Sequence, residues 1–79
     1  MSEAELSRAV DTLTQRILKA AQALGGVKHV VIVPHSVAGH FICRVHLEPR
    51  TNRNAYRKLF NGTAVGDSVY FTEPAPQLA

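Results

Sequence analysis

Four histidines and one cysteine lie close together in the middle of the chain, between positions 29 and 46. Cysteine beside histidine can form a nucleophilic pair or a mixed set of metal ligands. His40, Cys43 and His46 belong to one strand-like segment, and Cys43 is an odd number of positions away from each histidine. Because successive side chains of a strand point to opposite faces, Cys43 is predicted to lie on the other face, as a buried small hydrophobic residue.

The histidines alone suit two further kinds of site. A hairpin with a four-residue loop at positions 36–39 pairs His29 with His46, and Glu48 shares the parity of His46. Two imidazoles and one carboxylate can bind zinc or iron, and imidazoles also suit a pH-responsive contact surface. The spacing matches no established ligand signature, so we expect no metal and no cofactor. A metal-binding protein that uses this histidine-rich hairpin is kept as the second alternative.

Other catalytic motifs are missing from the sequence. It contains no glycine-rich phosphate loop, no nucleophile elbow and no His-Glu-x-x-His zinc motif. The six carboxylates are scattered over the chain and form no evident pair for acid-base catalysis. We therefore predict that the protein is not an enzyme.

Positive charge is the more informative feature of this chain. The net charge is +3, and the excess of basic residues is confined to residues 26–58, where Glu48 is the acidic residue. Arg50, Arg53 and Arg57 are spaced by three and four, so a helix beginning near residue 50 would align them along one side. Arginine suits bidentate contact with carboxylate or phosphate. The predicted partner-binding residues are Arg44, Arg50, Arg53, Arg57 and Lys58.

These residues favour a non-enzymatic adaptor, regulator or inhibitor. It would dock on an acidic macromolecular surface through residues 50–58 and the adjoining sheet face, with a protein as the partner. The alternative is direct binding of RNA or single-stranded DNA, which basic residues also suit. Against that alternative, the sequence lacks the paired aromatic residues of an RNA-recognition motif and the Gly-x-x-Gly loop of a KH domain. Tyr70 is the one aromatic residue expected on the open face of the sheet.

The elements that position these residues begin with an amphipathic helix over residues 3–24. Ser2 and Glu5 form a capping-box pattern at its start, apolar residues follow at spacings of three and four, and Gly25-Gly26 ends it. Segments 27–33 and 40–47 are rich in β-branched residues and predict the hairpin. Its purely apolar face is assigned to the core. The face with the four histidines and Arg44 is predicted to be more exposed.

The rest of the chain predicts a second helix and a third strand. Thr51 or Asn52 can cap a helix that runs through Phe60. The side chains expected to face inward are Ala55, Tyr56, Leu59 and Phe60. A strand follows over residues 65–72, and residues 73–79 are predicted to form an extended, poorly ordered tail.

The order helix, strand, strand, helix, strand predicts one small α+β domain over residues 1–72. The simplest arrangement is a three-stranded, mostly antiparallel sheet whose third strand lies beside the first, with both helices on one face. This order resembles a ferredoxin-like domain that lacks its first strand, which is a likeness of topology and does not settle function. Exposed strand edges leave the oligomeric state open.

The single cysteine and the hydrophobicity pattern predict where in the cell the protein is located. One cysteine cannot form a disulfide within the chain, and the N-terminus lacks the basic and apolar regions of a secretory signal. The longest apolar run, residues 30–33, is far too short to span a bilayer. We therefore expect a cytoplasmic protein with no membrane partner.

Overall fold

The computed structural model describes residues 2–76 and begins with a long helix, α1 (Glu3–Ala21). Ser2 caps the helix as predicted, because its hydroxyl oxygen accepts a hydrogen bond from the Glu5 amide at 3.2 Å. The Glu5 carboxylate accepts from the Ser2 hydroxyl at 3.0 Å instead of from the Ser2 amide that a full capping box would use. The apolar stripe buries Ala9, Leu13, Ile17 and Ala21. The helix ends three residues before the expected position, and Leu24 is therefore 46% exposed instead of packing in the stripe.

The predicted hairpin is confirmed, with β1 (Val27–Pro34) antiparallel to β2 (His40–Leu47). Its register is also as predicted, since His29 pairs with His46 and Val31 pairs with Arg44. The core face of β2 is fully buried, through Phe41, Cys43, Val45 and Leu47. The corresponding residues of β1 are only partly buried because β1 is the last strand on its side of the sheet.

The second helix, α2 (Arg53–Phe60), ends at Phe60 as predicted and begins after Asn52, one of its two predicted caps. Asn52 caps it by accepting a hydrogen bond from the Ala55 amide at 3.1 Å. Arg50 therefore precedes the helix, in a turn where its φ is 73°, and the expectation of a helix starting near residue 50 is wrong. Leu59 was expected to face inward but is 46% exposed, because an eight-residue helix presents one narrow stripe, centred on the fully buried Tyr56.

The predicted third strand over residues 65–72 is in fact a second hairpin. It consists of β3 (Thr63–Val65) and β4 (Ser68–Pro74), joined by a two-residue turn at Gly66-Asp67. The φ of +58° at Gly66 is readily adopted by glycine and places it at the first central position of the turn. Residues 73 and 74, expected in the tail, instead belong to β4, opposite Phe41 and His40. Residues 77–79 of that tail lie outside the described residues.

The chain forms a small α+β domain with a four-stranded antiparallel sheet in the order β1-β2-β4-β3. The expectation of three strands, with the last beside the first, is therefore wrong. Pairing β4 with β2 places Val69 opposite Val45 and Phe71 opposite Cys43, so the apolar residues of two central strands are buried side by side.

Both helices cover the same face of the sheet. Ile17 and Ala21 of α1 share one buried cluster with Tyr56 of α2 and with core residues of β2 and β4. A second cluster joins Phe41 to Ala9 and Leu13 of α1. The opposite face of the sheet is left without a covering layer among residues 2–76. No helix in that part of the chain is long and apolar enough to cross a membrane.

Candidate functional site

The face of the sheet that points away from both helices is the main candidate surface, and we call it the open sheet face. The strand register defines it as three rows of side chains across the sheet. Its residues are His29, Val31, Val33, Ile42, Arg44, His46, Thr63, Val65, Ser68, Tyr70 and Thr72. None of these positions holds an aspartate, a glutamate or a lysine.

Arg44 lies in the middle row of the open sheet face, between Val31 on β1 and Tyr70 on β4. Its Nε donates to the Ser68 hydroxyl oxygen at 3.1 Å, and its guanidinium carbon lies 5.9 Å from the centre of the Tyr70 ring. A cation at this distance from an aromatic ring is attracted by the negative charge of the ring face. These contacts hold a half-buried guanidinium in place and leave other N–H groups of Arg44 for a partner.

The histidines beside Arg44 extend this hydrogen-bonded arrangement. His46 Nδ1 lies 2.9 Å from the Ser68 hydroxyl oxygen and 3.5 Å from a terminal nitrogen of Arg44. The Ser68 hydroxyl oxygen accepts from Arg44 Nε and is also within hydrogen-bond distance of His46 Nδ1, so Ser68 links the two side chains. His29 stacks on His46 with ring centres 4.8 Å apart. The pair is thus a flat, stacked patch next to the fixed arginine.

Exposed apolar side chains surround this polar centre. Val31, Val33 and Val65 are 40%, 44% and 58% exposed, and Tyr70 is 37% exposed. The centres of protein interfaces are enriched in aromatic residues and arginine and depleted in lysine and acidic residues. The open sheet face has that composition.

The predicted basic residues of α2 lie on the other side of the sheet. Arg53 donates to the Gly66 carbonyl oxygen, and Arg57 makes two bonds to the Asn54 side chain, at 3.1 Å and 2.9 Å. Arg53 and Arg57 line a shallow depression of about 490 Å³. Arg44 belongs to the open sheet face, so the structure does not bring the five predicted residues together on one surface.

Sequence reasoning placed Tyr70 on the open sheet face but missed other residues that β3 and β4 contribute to it. Ser68, which orders both Arg44 and His46, was not identified, and Val65 was not placed at this surface. Val65 was missed because residues 65–72 were read as one strand, in which Val65 shares the parity of the buried Val69 and Phe71. Ser68 shares the parity of Tyr70, but its position beside Arg44 and His46 follows only from the pairing of β4 with β2. The sequence does contain the signal for a hairpin in this segment, since Gly66-Asp67 between two short strand-like runs is a typical hairpin turn.

His35 and Cys43 also carry reactive side chains, but their contacts indicate structural roles. His35 Nδ1 accepts a hydrogen bond from the Val37 amide at 2.8 Å and orders the β1–β2 loop. Cys43 is fully buried, as the strand parity predicted, and burial followed by the nearby charge of Glu73 raises the pKa of its thiol to about 11. A thiol with so high a pKa is a poor nucleophile at neutral pH. Within residues 2–76, no three His, Cys, Asp or Glu side chains are grouped to hold a metal ion.

Comparison of the chain with models of protein families, with curated proteins and with solved structures found no match. Two surfaces are the candidates for function, namely the open sheet face and the side of α2 that carries Arg53 and Arg57. Of these two surfaces, the open sheet face surrounds its held arginine with several exposed apolar side chains.

Proposed function

We propose that this protein is a small non-enzymatic binding protein, acting as an adaptor, regulator or inhibitor, that docks on the acidic surface of a protein partner. The open sheet face is the docking surface. The observation that supports this proposal is the position of Arg44, which Ser68 and Tyr70 hold in place among exposed valines. A carboxylate of the partner would bind the free N–H groups of Arg44, and apolar side chains would cover the valines.

The composition of the open sheet face favours a protein over a nucleic acid as partner. A nucleic-acid surface needs several lysine or arginine residues along the phosphate backbone, and this face has one arginine. On the open sheet face, bases would have Tyr70 and the paired histidines as rings to stack on. The exposed valines offer no flat ring for stacking. The same valines contribute to affinity when an apolar protein surface covers them.

The basic residues on the helix side have a supporting role in this proposal. Arg50, Arg53, Arg57 and Lys58 raise the positive potential of the domain without lying on the docking surface. A net charge of +3 attracts an acidic partner and increases the rate of encounter. Removal of these charges should slow association and leave the contacts at Arg44 intact.

Affinity capture from an extract of the native host tests this proposal, with nuclease treatment to remove nucleic acid. The partner captured by the wild-type chain is then titrated against two matched single variants, Arg44→Gln and Arg57→Gln. We expect Arg44→Gln to weaken binding at least tenfold, about 1.4 kcal/mol, and Arg57→Gln to change it less than about twofold. Circular dichroism of each variant confirms that the fold is kept.

A second matched pair of variants probes the same surface without removing an existing contact. Thr72→Glu adds a negative charge to the open sheet face, and Thr12→Glu adds the same charge to the exposed side of α1. Thr72→Glu should repel an acidic partner, whereas Thr12→Glu should bind like the wild type.

Two results would contradict the proposal. Loss of the captured partner on nuclease treatment would indicate a nucleic-acid ligand instead. Full affinity in Arg44→Gln, together with a loss in the triple variant Arg50→Glu, Arg53→Glu and Arg57→Glu, would move the docking surface to the helix side.

A further inference from the structure

β1 is an edge strand whose outer backbone groups have no partner strand among residues 2–76. The His35 amide donates to the His40 carbonyl oxygen at 3.0 Å, which fixes the alternation of hydrogen bonds along the hairpin. Residues an even number of positions from His35 direct their N–H and C=O groups to β2. Val30 and Ile32 are an odd number of positions from His35, so their N–H and C=O groups point to the free edge. Two donors and two acceptors are therefore presented outward along one short stretch of β1.

The usual protections of an edge strand are present only at the two ends of β1. Edge strands are commonly protected by lysine, proline or a β-bulge. β1 has a bulge at Lys28 and a proline at Pro34. Between them, residues 30–33 are four β-branched residues without charge, and Val31 and Val33 are 40% and 44% exposed. The middle of β1 is thus free to pair with another strand.

We infer that β1 pairs antiparallel with β1 of a second copy of this chain, which joins two four-stranded sheets into one sheet of eight strands. The segment 30–33 is self-complementary, because reversing it places β-branched residues opposite β-branched residues. In the register with Val31 opposite Val31 of the second copy, Val30 pairs with Ile32 of the second copy and four backbone hydrogen bonds form. Lys28 then lies opposite the second copy's Pro34, so no like charges face each other.

The geometry favours a closed dimer over an open chain of copies. A two-fold interface uses the same edge of both copies and leaves no further β1 edge exposed. The other edge of the sheet is β3, which has three residues. A ladder of about five residues buries less than the ~1,200–2,000 Å² of a standard interface, so the dimer should dissociate on dilution.

The dimer also enlarges the open sheet face. The two copies of Arg44 would be separated by the two β1 strands, or three strand spacings of about 4.8 Å each, which is about 14 Å. The exposed Val31 residues of both copies would lie between them. This pairing does not depend on the proposed partner and is tested with the purified chain alone.

Sedimentation equilibrium over a series of concentrations tests the inference, with Val31→Lys and Val65→Lys as a matched pair. Both variants place lysine at an exposed valine of the open sheet face, one on the β1 edge and one on the β3 edge. We expect the wild type and Val65→Lys to dimerise as the concentration rises. Val31→Lys should raise the dissociation constant at least tenfold, because two lysines would face each other.

Amide hydrogen exchange of the wild type gives a second measurement that needs no variant. The amides of Val30 and Ile32 should become protected as the concentration rises, because pairing gives them acceptors. A wild-type chain that stays monomeric would overturn the inference and leave the β1 edge to an extended segment of another protein. Dimerisation unaffected by Val31→Lys, with unprotected Val30 and Ile32 amides, would also overturn it.

Discussion

The buried thiol of Cys43 should make the stability of this domain fall at alkaline pH. Burial first, and the charge of Glu73 second, raise the pKa of Cys43 from 9.0 to about 11 in the folded chain. The neutral thiol is therefore favoured by folding, and its contribution is fully present below pH 9 and is lost as the pH rises through 11. A shift of two pKa units corresponds to about 2.7 kcal/mol of the free energy of unfolding.

Urea denaturation of the wild type and of Cys43→Ala measures this contribution. The alanine variant loses the titrating group and has a small, pH-independent penalty for lost core volume. The difference between the two unfolding free energies should shift by about 2 kcal/mol between roughly pH 8 and pH 11. Burial also raises the pKa of Tyr56, but both proteins share that effect, so the difference isolates the thiol.

Parallel stability curves for the two proteins would refute this reasoning, since they would show that the thiol ionises as easily in the folded as in the unfolded chain. A thiol-specific reagent provides an independent measurement. Because Cys43 is fully buried, its thiol should react slowly in the native protein at neutral pH. In urea, the labelling of Cys43 should proceed at the rate of unfolding. Rapid labelling of the native protein would contradict the burial of Cys43.

Three further substitutions test the packing of the domain. Phe41→Ala should cost about 3–5 kcal/mol in urea denaturation, because the ring is buried against Ala9 and Leu13, and a loss below about 1 kcal/mol would place the ring outside the core. Tyr56→Phe should cost about 1–2 kcal/mol, because the hydroxyl donates to the carbonyl oxygens of Ala21, the last residue of α1, and of Gly25 in the following turn. Unchanged stability would argue against these bonds. Gly62→Ala should lower the melting temperature, because the added Cβ would clash with the Tyr70 carbonyl oxygen. An unchanged melting temperature would contradict that close approach.

The elements with a strong local signal were predicted correctly from the sequence. The Ser2 cap of α1, its apolar stripe and the register of the first hairpin depend on residues close together in the chain. The alternation along β2 also placed Cys43 and Arg44 on opposite faces. The sheet order was not predicted, because pairing β4 with β2 depends on contacts between segments distant in sequence.

The residues of the candidate site were likewise predicted from the sequence only in part. Arg44 and His46 were placed on the exposed face of the hairpin by alternation alone. Ser68 and Tyr70 join them only because β4 lies beside β2, and the hydrogen bond from Arg44 Nε to the Ser68 hydroxyl oxygen spans 24 positions of sequence.

The sequence by itself determined the small α+β class, the amphipathic first helix, the first hairpin and the concentration of positive charge in the middle of the chain. These features follow from periodicity and local turn chemistry. Only the tertiary structure decided that the basic residues divide between two sides of the sheet and that Arg44 is held by β4. The physical reason is that helix spacing can align Arg53 and Arg57, whereas the relation of Arg44 to them depends on which face of the sheet α2 covers.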